Sequence, residues 1–138
     1  MRFNILRAIL IVALLSTSSF GQGQRPGNVL VMTGRAWVIL PELNKLTYIQ
    51  GLKDGIMIAA TYLDGEERNL IIDTAQAKGF FPGDYVKELD SLYRDRENLP
   101  IPMPFAYQYV NLKLKGTATK EELERKLVEL RKALAKYQ

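Results

Sequence analysis

Between Leu43 and Leu63 the apolar residues Leu43, Leu46, Ile49, Leu52, Ile56, Ala59, Ala60 and Leu63 recur at three- and four-residue spacing, which is the spacing of one helix face. Gly51 and Gly55 interrupt that run. Each interior glycine costs a helix about 1 kcal/mol relative to alanine. Two of them four apart, followed by Ala59, predict a groove along one face in which a neighbouring backbone approaches closely. The chain is therefore expected to be organised around a long central helix crossed tightly by another. Asp54 lies between the glycines, where its carboxylate either bonds a neighbouring helix terminus or a tyrosine, or stays in solvent.

With 138 residues the chain has the size of one domain. Its 47% hydrophobic and 25% charged residues are those of a folded protein rather than a disordered one. No cysteine is present, so the fold rests on packing without covalent staples. Residues 1–21 read as a signal peptide: Arg2 and Arg7 precede an apolar run from Ala8 to Leu15, and Ser19 and Gly21 sit at small-residue positions before a cut. That run is shorter than the ~20 residues of a bilayer span. The mature protein is expected to begin at Gln22, to carry no membrane span, and to be periplasmic or secreted. Loss of Arg2 and Arg7 lowers the formal charge from +4 to +2. A balance so close to neutral, with both signs interleaved, argues against nucleic acid as a partner.

Residues 22–36 read as a flexible or extended leader, with Val29 to Met32 either a small edge strand or an extended segment, and 37–138 as the helical domain. Trp37 is expected to be a buried anchor at the start of the first helix, which runs from about Pro41 to Leu63 with Gly65 as a left-handed cap. Leu70-Ile71-Ile72 belongs to a short helix or a strand, with the helix favoured. Lys78 to Gly83 is turn chemistry, and Asp84 is the expected N-cap of a helix over Tyr85 to Arg94. Pro100, Pro102 and Pro104 enforce an extended approach to a further helix that Gly116 stops near Lys115. Thr119 and Glu122 form a capping box before the last helix, Lys120 to Lys136. Leu123, Leu127, Leu130 and Leu134 make its apolar stripe, and Glu121–Arg125 and Glu122–Lys126 are expected ion pairs. The fold class is all-α, a single small domain of four or five helices.

Without histidine or cysteine there is no Ser-His-Asp triad, thiolate nucleophile or usual zinc site. Carboxylates such as Asp90, Asp95 and Glu97 lack the spacing that would single out a glycosidase pair or a calcium loop. Gly51 and Gly55 fall inside a helix and make no phosphate loop. No catalytic group, metal or cofactor is expected.

The run Tyr48-Ile49-Gln50-Gly51-Leu52-Lys53-Asp54-Gly55, followed by Pro82-Gly83-Asp84-Tyr85-Val86-Lys87-Glu88-Leu89, resembles the pattern of small periplasmic Tai-type immunity proteins. Tyr48, Gly51, Asp54 and Gly55 match that family's motif position by position, while its cysteine has no counterpart and its first glycine falls on Thr47. The resemblance covers roughly residues 37–110. It implies an all-helical exported domain, often dimeric, that blocks a peptidoglycan amidase delivered by a rival cell's type VI secretion system. Trp37, Tyr48, Gly51, Asp54 and Gly55 are thus the candidate partner-binding or structural residues. The expected function is a small exported protein-binding module of the immunity type, not an enzyme, with a homodimer among the arrangements open to it. The alternative is a structural or accessory envelope protein, and the third reading a carboxylate-dependent hydrolase.

Overall fold

The computed structural model describes residues 31–75 and 77–135. The expected signal peptide, the leader up to residue 30 and the last three residues lie outside the described residues. Six helices follow one another: α1 Gly34–Trp37, α2 Glu42–Thr61, α3 Gly65–Ala75, α4 Pro82–Tyr93, α5 Met103–Lys115 and α6 Lys120–Ala135, with a 3-10 turn at Arg96–Asn98 before α5. The domain is all-α, and its five helices longer than a single turn agree with the four or five expected.

Local chemistry sets the boundaries. Pro41 stays extended (ψ 151°) and serves as the N-cap of α2, so the helix proper starts one residue later than expected. Gly65 is left-handed, with φ 57°, but it opens α3 instead of closing α2. Asp84 is not the N-cap of α4. It stands in the first turn, where its carboxylate accepts the Phe81 N–H at 2.7 Å, and Pro82 begins the helix because its missing N–H is no loss there. Gly116 ends α5 with φ 64°. Thr119 and Glu122 exchange both bonds of the capping box, at 2.8 and 3.2 Å.

α2 packs on α3 and α4, α4 on α5, α3 on α5, and α5 on α6. Trp37, Ile49, Tyr85, Leu89, Tyr93, Ile101, Met103 and Val110 fill the centre and are fully or almost fully buried. Leu127, Leu130 and Leu134 bring α6 onto this core, while Leu123 is half-buried at the near end. The expected Glu121–Arg125 and Glu122–Lys126 ion pairs do not form. Glu122 is spent on the cap, and the ion pair within α6 among the described residues is Lys120–Glu124, at 3.9 Å. Arg131 holds α6 instead, through Asn98 Oδ1 (2.8 Å), Glu97 Oε2 (2.6 Å) and Asp95 Oδ2 (2.7 Å). Asn98 is itself buried and donates to the Leu92 carbonyl.

The end of the expected leader belongs to the fold. Met32 accepts the Met103 N–H at 2.7 Å, Thr33 bridges to Pro102, and the Gly34 and Arg35 N–H groups donate to Ile101 and Leu99. Residues 34–36 are helical, and Trp37 closes α1 rather than starting the long helix. The close approach expected at Gly51 and Gly55 is absent: a Cβ at either meets nothing within 4 Å. It occurs at Gly34, where a Cβ would lie 2.2 Å from the ring of Tyr93. That ring is buried and its hydroxyl donates to the Ile101 carbonyl, so it cannot swing aside.

Gly34→Ala should therefore destabilise the monomer by about 1–3 kcal/mol through overpacking. Gly51→Ala and Gly55→Ala should each stabilise it by about 0.5–1 kcal/mol, the helix-propensity gain. Denaturant unfolding of dilute protein checks all three, and the opposite ordering would contradict this packing.

Candidate functional site

Four of the five residues singled out by the sequence separate into two places, and Gly55 belongs to neither. Trp37 and Tyr48 lie on the inner side of α2, edge to face with ring centroids 6.2 Å apart. Trp37 Nε1 donates to Asp90 Oδ1 at 2.8 Å, and Lys45 Nζ donates to the same oxygen at 2.8 Å while standing 5.5 Å over the indole ring. These contacts tie α1, α2 and α4 together and give Asp90 a structural role. Asp95 and Glu97 are likewise held by Arg131.

Gly51 and Asp54 lie on the outer side of α2. There they join Leu46, Thr47 and Gln50 as one wall of a shallow, open depression of about 540 Å³, whose other wall is Pro82 and Gly83. Gly55 does not line it. The second wall is fixed by the turn before α4. Gly79 is left-handed (φ 84°), Phe80 N–H donates to the Ala77 carbonyl, and Lys53 Nζ reaches the Phe80 carbonyl at 3.4 Å while covering the Tyr85 ring. Tyr85 then accepts the Ala77 N–H and donates to the buried Asn111 side chain, which anchors the turn to α5.

Neither Gly51 nor Gly83 has a neighbour within 4 Å of where a Cβ would stand, so the floor is bare backbone open to solvent. Asp54 bonds no helix terminus and no tyrosine. It is exposed and accepts one bond, from Gln50 on its own helix at 2.8 Å. Thr47 donates back to the Leu43 carbonyl. Large apolar groups are left in water on the same elements: Leu43 and Ile58 on α2 are 73% and 59% exposed, Tyr62 at its C-cap 84%, and Phe81, the N-cap of α4, 75%. On α2, Leu43, Thr47, Gln50, Asp54 and Ile58 share one face by helical spacing, opposite the buried Ile49, Ile56 and Ala60. Sequence reading missed this face because the glycines were assigned to an internal contact. Leu43, counted in the apolar stripe, is exposed because it opens the helix before the core begins, and Ile58, which lies off that stripe, was the available signal.

Among the described residues no group of three or more acidic side chains is gathered where it could hold a metal ion, and no helix is long and apolar enough to cross a membrane. Comparison with protein-family models, with curated proteins and with solved structures finds no match to the chain.

Burial pushes the phenols of Tyr48, Tyr93 and Tyr107 above the ordinary tyrosine range; the nearby Tyr48 adds to the effect on Tyr93, and Tyr85 to that on Tyr107. An unfolded tyrosine ionises near pH 10. The stability these neutral phenols contribute is complete below about pH 10 and is lost as pH rises toward their higher folded values. The urea midpoint should thus fall progressively above about pH 10. A flat profile there, followed by circular dichroism, would contradict neutral burial of these rings.

Proposed function

We propose that this protein is a small exported protein-binding module that acts by occupying a partner's surface with the outer face of α2 and the first turn of α4. One observation carries the reading: Leu43 and Ile58 stand in solvent on the same face of α2 as Thr47, Gln50 and Asp54, which line a depression with exposed Gly51 and Gly83 backbone, and Phe81 stands in solvent next to Pro82 of its other wall. Exposed apolar groups gathered around a polar strip mark interaction surfaces, and aromatic side chains such as Phe81 and Tyr62 are the usual anchors of such contacts. Gly51 supports it independently. In an exposed helix it only weakens the fold, by about 1 kcal/mol relative to alanine, and its use is to let another backbone approach.

The partner class follows from the expected export and from the resemblance to Tai-type immunity proteins. A peptidoglycan-directed amidase toxin is the proposed target, and blocking it by surface occupation the proposed mechanism. Gly51 and Asp54 then contribute to the contact directly, while Trp37 and Tyr48 hold α2 in place.

Capture from cell-envelope extract on the immobilised protein tests this reading. The parent should retain a single stoichiometric enzyme. Gly51→Leu and Phe81→Ser should each lose it at least about tenfold, as expected of hot-spot positions, without any loss of thermal stability. Retention of envelope components instead would favour the accessory role. Capture indifferent to both substitutions would remove this face from the account.

A further inference from the structure

We propose that α6 is a releasable strap. It opens as one unit about Gly116 while the rest of the domain stays folded, Arg131 latches it shut, and ionic strength sets how often the latch opens. The first ground is where burial stops. Every described residue that is buried lies between Gly34 and Asn111, and none lies on α6. Leu127, Leu130 and Leu134 are only half-buried, against a core whose buried members all belong to the chain before α6. A segment with so few buried apolar contacts opens at a free energy below that of global unfolding.

The joint is built to swing. Gly116 ends α5 in the left-handed region, its N–H donating to the Lys113 carbonyl, and Thr119 and Glu122 cap the start of α6 between themselves. Neither cap borrows a group from the domain, so neither is broken when α6 leaves. Gly116, Thr117 and Thr119 are exposed.

The latch lies at the far end. α6 packs back along α5, and Arg131 reaches the turn that precedes α5. Among the described residues, the ion pairs from α6 to the rest of the domain all come from this one side chain, to Asp95 Oδ2 at 2.7 Å and Glu97 Oε2 at 2.6 Å. These carboxylates are 50% and 72% exposed, so dissolved salt screens them. The third acceptor is Asn98 Oδ1, at 2.8 Å. Asn98 is buried and its amide donates to the Leu92 carbonyl, a bond in which α6 takes no part. The socket therefore keeps its shape while the strap is out, and the latch can re-form.

Native-state hydrogen exchange of the full chain, read residue by residue, tests this. A detached helix of 16 residues is marginal in water, so its amides exchange whenever the strap is open. Amides from Leu123 to Leu134 should share one opening, at least about tenfold more frequent than that of the α4 amides. Raising monovalent salt from about 0.05 M to about 1 M should quicken α6 exchange at least about threefold relative to α4. Arg131→Gln should quicken it at least about tenfold and leave α4 unchanged. Asp95→Asn combined with Glu97→Gln keeps the acceptors but removes their charge, and should abolish the salt response. The strap is overturned if α6 exchanges at the rate of α4, or if Arg131→Gln leaves its rate unchanged. A steady gradient toward residue 135, which is fraying rather than unit opening, would also overturn it, as would a salt response that survives the double substitution.

Discussion

The contact on which the rest of the domain depends is that of Gly34 with the ring of Tyr93. A side chain at residue 34 would overlap that ring, so only glycine lets the backbone pass, and the passage brings Met32, Thr33 and Arg35 within bonding distance of residues 99–103. Tyr93 answers from below by donating to Ile101. Once this suture is made, Trp37 is delivered to Asp90 and Lys45, and α1, α2 and α4 share one anion. The extended Pro102, with ψ 142°, is what presents the opposite strand of the suture.

Much of this was legible in the residues. Apolar periodicity located α2, α4, α5 and α6, while the segment that forms α3 read as either helix or strand; the prolines marked the extended approach to α5, and Gly116 with Thr119 and Glu122 the break before α6. The parts that were not legible depend on contacts remote in sequence. Gly34 looks like any turn glycine until Tyr93, far along the chain, is placed beneath it. Gly51 and Gly55 look like a packing groove, because helical spacing alone cannot distinguish a glycine facing another helix from one facing water. Asn98 and Asn111 carry no local sign of burial. Their roles come from Arg131 and Tyr85, which arrive from other helices.

The site was half legible for the same reason. Tyr48, Gly51, Asp54 and Gly55 were read as one motif, but a helix sends its successive residues to different faces. Tyr48 turns inward to Trp37, Asp54 outward to Gln50, and Gly55 lines neither place. The outer face is thereby polar along its centre and apolar at its ends, with α4 as a side wall. Its elements are rigid: α2 is held beneath by Ile49, Ile56 and Ala60, and the turn before α4 by Lys53 and Tyr85. A preorganised surface of this kind binds without first being ordered, which spares the entropy that a mobile loop would lose. That is the proposed link from fold to function: the suture at Gly34 fixes α2, and α2 leaves one side free for another protein.

The central claim, that the isolated domain leaves this face uncovered, is tested most directly by radical footprinting of dilute, monomeric protein with mass-spectrometric readout. The account predicts that Leu43, Ile58, Tyr62 and Phe81 are modified nearly as fast as in the unfolded chain, while Trp37, Tyr85 and Tyr93 are protected. Protection of Leu43 and Ile58 in a demonstrated monomer would contradict it, since the chain's own residues would then be covering the face.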